Sequence, residues 1–339
     1  MAWYGPELAA DPSRWQGHLT DKQIRQIESA ATEFLASGKS AAAMRVEDFP
    51  LPGLEKPLKE LAQTLKHGVG FHLLRGLPVE SYSLDKAVVI FCGIGVHLGR
   101  ARSQNAVGHI LGHVYDIGAD SNDPEARVYQ TSARQTFHTD STDVVALMCL
   151  RGAENGGESM LVSTVTIYNE MQKRRPELVP FLFKSVATDR RGEVPQGQKP
   201  FFMIPVLNWH HNLLTGIYHR LYIDSASRFA EAPTPSDGQI EAMDCFDALA
   251  NDSSLHFCMD FQPGDMQFVY NHSLLHDRRA FQDFPDPAMR RHLLRLWLSM
   301  PDDRPLPDYF SQRYGGVEIG NRGGIITADS QLNVPMRPV

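Results

Sequence analysis

Apolar residues recur at helical spacing over much of the first hundred residues. One stripe includes Ile27 and Leu35 and ends near Gly38. Thr20 or Asp21, just before it, can cap the helix. After a second helical stretch the pattern changes to a continuous apolar run behind a glycine, which is typical of a buried strand. The predicted elements are helices over 21–38, 56–66 and 83–98 and a strand over 69–75. We therefore expect a mixed α and β scaffold here.

From residue 110 onward, short strand-like runs separated by turn residues dominate the pattern. The predicted strands are 110–115, 126–131, 144–150, 159–163, 201–206, 215–224, 256–261, 266–270 and 292–299. Helical spacing returns over 164–183 and 236–250. Many short strands with helices inserted in one part of the chain fit a jelly roll better than alternating β-α units. The predicted fold is mixed α/β but mainly β: a double-stranded β-helix (jelly roll) core with flanking and inserted helices.

We expect one domain over residues 1–339. Within it, 1–100 is the mixed α/β scaffold, and 101–300 is the jelly-roll core with a helical insert at about 164–255. The tail, 301–339, is rich in Pro and Gly and has little periodicity, so it is predicted to be irregular. The sequence leaves open whether this tail packs as coil, covers a site or contacts a partner.

Composition excludes several classes of partner. The formal net charge is -7, which gives no basic surface for nucleic acid. No apolar run is long enough to cross a bilayer, and the first residues lack the basic start and apolar segment of a secretory signal. The four cysteines have no metal-site or redox spacing and are expected to be reduced. We therefore expect a cytoplasmic protein with a small-molecule partner and no membrane or nucleic-acid partner.

The pair His138 and Asp140 is the first candidate for chemistry. If these residues extend a strand, positions two apart face the same side, so the imidazole and the carboxylate converge on one point. A third ligand must come from elsewhere, and the segment 271–279 offers His272 and His276. Without a third ligand the pair is no more than a hydrogen-bonded pair at a strand end.

Two arginines provide a second feature. Arg291 and Arg295 lie four residues apart at the start of a predicted strand and therefore point along the same face, whereas Arg290 points away. A guanidinium group binds a carboxylate through two parallel hydrogen bonds, which lysine does less well. A salt-bridged pair on a strand is the alternative interpretation of these arginines.

Four segments together resemble the taurine dioxygenase-like (TauD/TfdA) family of Fe(II)- and 2-oxoglutarate-dependent oxygenases. They are 137–140, 156–159, 263–276 and 291–295, so the resemblance covers roughly residues 100 to 300. It implies an enzyme that couples oxidative decarboxylation of 2-oxoglutarate by O2, yielding succinate and CO2, with hydroxylation or related oxidation of a substrate C–H bond. It also implies that His138, Asp140 and His276 are the iron ligands, with His272 as the alternative to His276.

The same resemblance implies the cosubstrate residues. Arg291 would bind the distal carboxylate of 2-oxoglutarate, Ser159 would be its second anchor, and Arg295 would line the substrate or cosubstrate pocket. Two imidazoles and a carboxylate on one face of the metal leave positions open, which suits Fe(II) oxygenases. Family halogenases lack the carboxylate, so Asp140 favours hydroxylation, desaturation or oxidative cleavage. Arg295 points to an anionic substrate, unless it serves 2-oxoglutarate instead.

Several alternatives stay open from the sequence. A hydrolase could use the same three ligands around zinc, although Arg291 and Ser159 would then have no role. A catalytically silent binding or sensor protein could also keep the jelly roll. Gln104, Asn105 and Tyr129 are candidate substrate contacts, the pair at 210–211 is a weak candidate for a second metal site, and homo-oligomerisation is left open.

Overall fold

Two β-sheets carry the fold. A computed structural model describes residues 1–119 and 128–338 of the chain. The strands β1 to β17 are, in chain order, Gln16–His18, Phe71–Arg75, Arg100–Arg102, Leu111–Val114, Gln135–His138, Val144–Arg151, Asn155–Gly156, Ser159–Ser163, Ser185–Asp189, Phe201–Pro205, Leu207–His210, Leu213–Gly216, Phe257–Met259, Met266–Tyr270, Leu274–Arg278, Phe281–Gln282 and His292–Ser299. The helices α1 to α9 are Gly5–Ala10, Asp21–Ala36, Glu55–His67, Leu84–Val96, Thr164–Arg174, Val179–Leu182, Arg220–Ser225, Asp237–Ala250 and Ser311–Tyr314.

The larger sheet has the strand order β1-β2-β14-β6-β17-β3, and β4 also pairs with β17. Its strands are antiparallel except for the pair β1 and β2. The smaller sheet has the order β13-β8-β15-β5 and is antiparallel throughout. This two-sheet arrangement with flanking helices agrees with the predicted jelly roll.

The central strands β14, β6 and β17 of the larger sheet are buried on both faces, and β14 illustrates the reason. Met266, Phe268 and Tyr270 pack on the apolar cluster formed with α2, α3 and α4. Val269 points to the opposite face and joins a second cluster with residues of the smaller sheet. Gln267 shares that face and lines a cavity between the sheets. Period-two alternation thus sends one set of side chains to the helices and the other toward the site.

Most predicted elements form, with boundaries that differ by a few residues. Helix α2 has Thr20 as its N-cap, completed by the side chain of Gln23 in a capping box. Its buried face includes Ile27 and Phe34, whereas Leu35, assigned to the stripe from the sequence, is exposed. Strands β8, β14 and β17 and helix α8 occupy almost the predicted residues. Hydrophobic periodicity was therefore a sound guide wherever one face meets an apolar core.

Two strand predictions were wrong. In the predicted strand 215–224, β12 ends at Gly216 and α7 begins at Arg220, because the backbone of Tyr218 bonds to Thr139 instead of continuing a ladder. In the predicted strand 126–131, Val128–Gln130 form a 3-10 turn, and the first two positions lie outside the described residues. In the first case apolar residues such as Tyr218 and Ile223 are buried outside any strand, whereas none of residues 128–130 is buried.

The C-terminal tail packs against the core through charged as well as apolar residues. Arg322 is fully buried, and its guanidinium donates to Asp143 at 2.8 Å and to Asp303 at 2.9 Å. Asp143 also accepts from His272 at 2.8 Å and from the backbone nitrogen of Met300 at 2.9 Å. The burial of Asp143 alone would raise its pKa, but these hydrogen bonds and the arginine hold the pKa below its usual range. The tail is thereby tied to the loop that follows β5.

This buried ion network predicts a large stability effect. Removal of one member leaves the other charges buried without a partner, which costs about 3–5 kcal/mol. We expect Arg322→Met to lower the free energy of unfolding by this amount in urea titration. Arg337→Met is the matched control, because Arg337 is 63% exposed and pairs with a solvent-exposed Asp85. An equal loss in both variants would contradict the role assigned to the network.

Candidate metal centre and adjoining cavities

Three side chains converge at the end of the smaller sheet. Strand β5 ends at His138, Asp140 follows it, and β15 places His276 directly opposite His138 in the ladder. One ligand atom from each residue can be chosen so that all three lie within 4.8 Å of one another. The Nε2 atoms of the two histidines lie 3.8 and 3.7 Å from the oxygens of Asp140. Two imidazole nitrogens and one carboxylate oxygen in this arrangement fit Fe(II) with open positions.

The surroundings orient two of these groups. The Nδ1 of His138 lies 2.8 Å from the carbonyl oxygen of Thr136, a bond in which the imidazole donates and which leaves Nε2 free of a proton. Trp297 donates from Nε1 to Asp140 at 2.9 Å, and Asn271 accepts from the backbone nitrogen of Asp140. Hydrogen bonds of this kind fix the orientation of metal-binding side chains.

Electrostatics keep His138 and Asp140 in the forms that bind metal. Burial, and to a smaller extent the neighbouring imidazole of His276, lower the pKa of His138 to about 3. Burial by itself would raise the pKa of Asp140. The guanidinium of Arg295 and the two imidazoles outweigh that effect and hold the pKa well below its usual range. A neutral imidazole and a carboxylate anion therefore face the centre.

A first cavity extends from this centre between the two sheets. It begins at the three converging side chains and is lined further in by Ser159, Arg278 and Arg291. Arg291 is 5% exposed, and its Nη1 has no hydrogen-bond partner among the described residues. Burial lowers the pKa of Arg291 to about 10, which reflects the cost of holding this cation away from water. A carboxylate in the cavity would supply the missing partner; we call this space the cosubstrate cavity.

The paired glycines before Ser159 allow close approach to Arg291. Gly156 and Gly157 have φ values of 75° and 81°, a backbone conformation that side chains disfavour. A Cβ atom on Gly157 would lie 3.1 Å from Nε of Arg291. The turn therefore packs its backbone against the guanidinium stem. Ser159 follows at the start of β8, and its hydroxyl lies 3.5 Å from the side-chain oxygen of Gln267.

A second cavity lies on the other side of Asp140. Its wall is largely apolar, with Val186, Phe202, Ile204, Ile217 and Ile223. Arg295 and Arg313 also line it, and Asp140 is the only carboxylate of its lining among residues 1–119 and 128–338. Arg313 comes from the C-terminal tail and donates to the hydroxyl of Ser141 at 2.6 Å. We call this space the substrate cavity.

Arg295 lies where the two cavities meet and lines both. Its guanidinium stacks on Tyr129, 4.4 Å from the ring centroid, and lies 5.4 Å from that of Trp297. Gln104 accepts from Nε of Arg295 at 2.6 Å and donates to its backbone oxygen at 2.8 Å. Gln104 therefore holds Arg295, and Tyr129 forms part of both walls. Asn105 lines neither cavity, because its side chain accepts from the backbone of the 105–109 turn.

The remaining histidine candidates lie elsewhere. His272 is fully buried in the ion network around Asp143, where the guanidinium of Arg322 also donates to the two carboxylates. That position is filled by a cation from the protein itself. His210 and His211 lie at the turn of a hairpin with ring centroids 4.5 Å apart. Within the described parts of the chain, they belong to no group of metal-ligating side chains.

Four residues of these cavities were missed from the sequence: Trp297, Arg278, His219 and Arg313. Arg278 could have been found, because it lies two residues after His276 and strand alternation puts it on the same face. His219 contacts the centre through its ring, 4.9 Å from that of His138, and no motif marks it. Arg313 lies in the aperiodic tail, where sequence patterns give no direction for a side chain.

A jelly roll with two histidines and a carboxylate converging at the mouth of a cavity is typical of mononuclear non-haem iron oxygenases. Comparison with known families makes the class specific. Residues 36–297 match the model described as taurine catabolism dioxygenase TauD, TfdA family, and the chain belongs to this family. It is therefore an Fe(II)- and 2-oxoglutarate-dependent oxygenase, as the sequence predicted, and not the hydrolase or silent binding protein considered above.

Individual relatives agree with this assignment. FR-33289 synthase of Streptomyces rubellomurinus is 31% identical over 312 residues, which cover 91% of this chain and 92% of that protein. The taurine hydroxylase-like protein SAT17 of Stachybotrys chartarum is 31% identical over 89% of this chain and 79% of its own. The non-haem iron oxygenase OrfP, in complex with Fe and alpha-ketoglutaric acid, has a similar fold, with a TM-score of 0.64, 16% identity and coverage of 84% of this chain and 93% of its own.

No helix in the described residues is long and apolar enough to cross a membrane.

The hydrogen bond from Trp297 to Asp140 leads to a prediction about metal affinity. We expect Trp297→Phe to weaken Fe(II) binding about 10–100-fold, the usual effect of losing an outer hydrogen bond to a metal ligand. Anaerobic calorimetric titration with Fe(II) measures it. Trp209→Phe is the control, because Trp209 is 51% exposed in the hairpin and should leave the affinity unchanged. Equal affinity in both variants would show that this hydrogen bond does not support the metal.

Proposed function

We propose that this enzyme couples the conversion of 2-oxoglutarate to succinate with hydroxylation, or a related C–H oxidation, of a small anionic organic molecule. The observation that carries the proposal is that two cavities share Asp140 and Arg295 in their walls, one of them lined also by His138 and His276 and the other also by Arg313. One cavity fits the cosubstrate and the other the molecule to be oxidised.

Each residue has a role that its position supports. His138, Asp140 and His276 hold the iron on one face. Arg291 and Ser159 line the far part of the cosubstrate cavity and bind the distal carboxylate of 2-oxoglutarate. With this end fixed, the keto-acid end reaches the metal in one orientation, and positioning of this kind supplies much of the rate enhancement in enzymes. Bound Fe(II) and 2-oxoglutarate supply the oxidative chemistry with O2, while the protein selects and holds the C–H bond.

The substrate cavity favours an anion with an apolar body. Arg295 and Arg313 supply two positive charges, and the isoleucine, valine and phenylalanine side chains supply apolar contact. A carboxylate or sulfonate matches the planar donors of arginine. The name of one relative, taurine hydroxylase-like protein, supports a substrate of this kind. The carboxylate ligand Asp140 favours hydroxylation over halogenation.

The metal role of Asp140 has a direct test. We expect Asp140→Ala to abolish succinate formation, because two imidazoles alone hold Fe(II) poorly and the carboxylate is the anionic ligand of the set. Succinate is measured after incubation with 2-oxoglutarate, Fe(II) and O2. The exposed Asp244→Ala is the control, because Asp244 pairs with Arg220 on α7, outside both cavities. Full turnover by Asp140→Ala would remove Asp140 from the ligand set.

The substrate class is tested by a screen for substrate-stimulated succinate release. We expect small organic acids, sulfonates and amino acids to include activators, and we expect neutral amides or esters of an activator to lose activity. With an activator in hand, Arg313→Gln should raise its KM about tenfold or more, the effect of losing one charge-assisted hydrogen bond. Succinate formation without substrate should stay unchanged in that variant. A neutral activator as effective as its anion would contradict the proposed substrate class.

A further inference from the structure

Arg278 lies in the cosubstrate cavity in a position that the roles assigned so far do not use. It is two residues beyond His276 on β15, and its cross-strand partner on β8 is Ser159. Directly opposed residues of an antiparallel pair, and residues two apart on one strand, share a face. Arg278 therefore lies on the face of His276 and Ser159, one step deeper into the cavity. Two residues of strand correspond to about 6.6 Å.

The donor groups of Arg278 are largely unused. The side chain is 7% exposed, and Nη2 donates to the carbonyl oxygen of Ala133. Nε and Nη1 are buried and have no hydrogen-bond partner among the described residues. The Nη1 atom of Arg291 is likewise buried and has no hydrogen-bond partner among the described residues. Buried donors without partners cost free energy and mark a place where a ligand atom is missing.

Both arginines lie against the ring of Phe281. Their guanidinium carbons are 4.8 Å (Arg278) and 5.1 Å (Arg291) from the ring centroid of Phe281. Neither guanidinium lies within 4.0 Å of a carboxylate oxygen in residues 1–119 and 128–338. Asp277, between His276 and Arg278, pairs with Arg134 at 2.6 Å. The far end of the cavity thus holds two cations and no bound anion from the protein.

We propose that Arg278 is a second binding residue for the distal carboxylate of 2-oxoglutarate, which it holds together with Arg291. The inference rests on the proposed function of this cavity. The distal carboxylate lies two methylene groups beyond the keto carbon, so a group one strand step past His276 is at a suitable depth. Two guanidinium groups can satisfy both oxygens of one carboxylate and fix its plane. Arg278 would then determine cosubstrate selectivity and not only support the wall.

A bracing role is the alternative, since Arg278 also bonds to Ala133. The two roles predict different affinities for a cosubstrate analogue that lacks the distal charge. 2-Oxopentanoate has the same number of carbons as 2-oxoglutarate, with a methyl group in place of the distal carboxylate. Loss of a carboxylate contact weakens 2-oxoglutarate alone, whereas loss of bracing weakens both ligands.

The experiment compares Arg278→Met with wild type and with Arg279→Met, a neighbour that is exposed. Each protein is titrated anaerobically with Fe(II) and either 2-oxoglutarate or 2-oxopentanoate, and the charge-transfer absorption gives Kd. We expect Arg278→Met to raise the Kd of 2-oxoglutarate about 10–100-fold, the range for losing hydrogen bonds to a charged group. The Kd of 2-oxopentanoate should stay within about twofold by the same reasoning. Arg279→Met should match wild type with both ligands.

Each other outcome has a definite meaning. If wild type does not bind 2-oxoglutarate, the proposed function of the cavity fails. If wild type binds it and Arg278→Met keeps the same preference over 2-oxopentanoate, the assignment of Arg278 is overturned and the proposed function stands. Equal weakening of both ligands also overturns the assignment, in favour of bracing. Should Arg278→Met fail to fold, Arg278→Lys keeps a charge without the planar fork, and an unchanged preference in that variant overturns the proposal as well.

Discussion

The ion pair between Arg322 and Asp143 helps to fix the position of Asp140, the carboxylate proposed to hold the iron. Asp143 is held by Arg322, by His272 and by the backbone of Met300, all in the interior. Only two residues separate it from Asp140, whose backbone nitrogen donates to Asn271 at 3.1 Å. The short segment between β5 and β6 is thus fixed at both ends. Because buried ion pairs tolerate little displacement, the tail that supplies Arg322 contributes to the precision of a site it does not enter.

Buried charges are paired on one side of this segment and lack a partner on the other. Around Asp143 the carboxylates meet Arg322 and the network is closed, whereas Arg278 and Arg291 are buried in the cosubstrate cavity without an anionic partner among the described residues. Burying an unpaired cation is costly, and the lowered pKa values of about 9 for Arg278 and about 10 for Arg291 reflect that cost. A dicarboxylate bound there, as we propose for 2-oxoglutarate, would remove the cost and would link cosubstrate binding to the stability of the folded chain.

Sequence patterns predicted the fold where burial has a simple geometry and failed where polar residues are buried. Strands β8, β14 and β17 were found because their apolar runs face helices or the opposite sheet. Strand β15 was missed because His276, Asp277 and Arg278 resemble a solvent-exposed loop, yet they line a cavity. Arg322 could not be connected to Asp143 from the sequence, since 179 residues separate them and no periodicity gives their directions. Long-range polar contacts are therefore the part that required the structure.

Arg295 lies between the two anionic ligands that we propose for this centre, the cosubstrate and the substrate. Gln104 holds its guanidinium, and the rings of Tyr129 and Trp297 stack against it, so the side chain has little freedom to move toward either cavity alone. A fixed cation between two anionic ligands lowers their mutual repulsion, and the effect is large where water is excluded. Trp297 also donates to Asp140, which lies 3.7 Å from Arg295. Arg295, which would lie between cosubstrate and substrate, is thus coupled to Asp140, the carboxylate proposed to hold the iron. A change at Arg295, Trp297 or Asp140 should therefore affect both cavities.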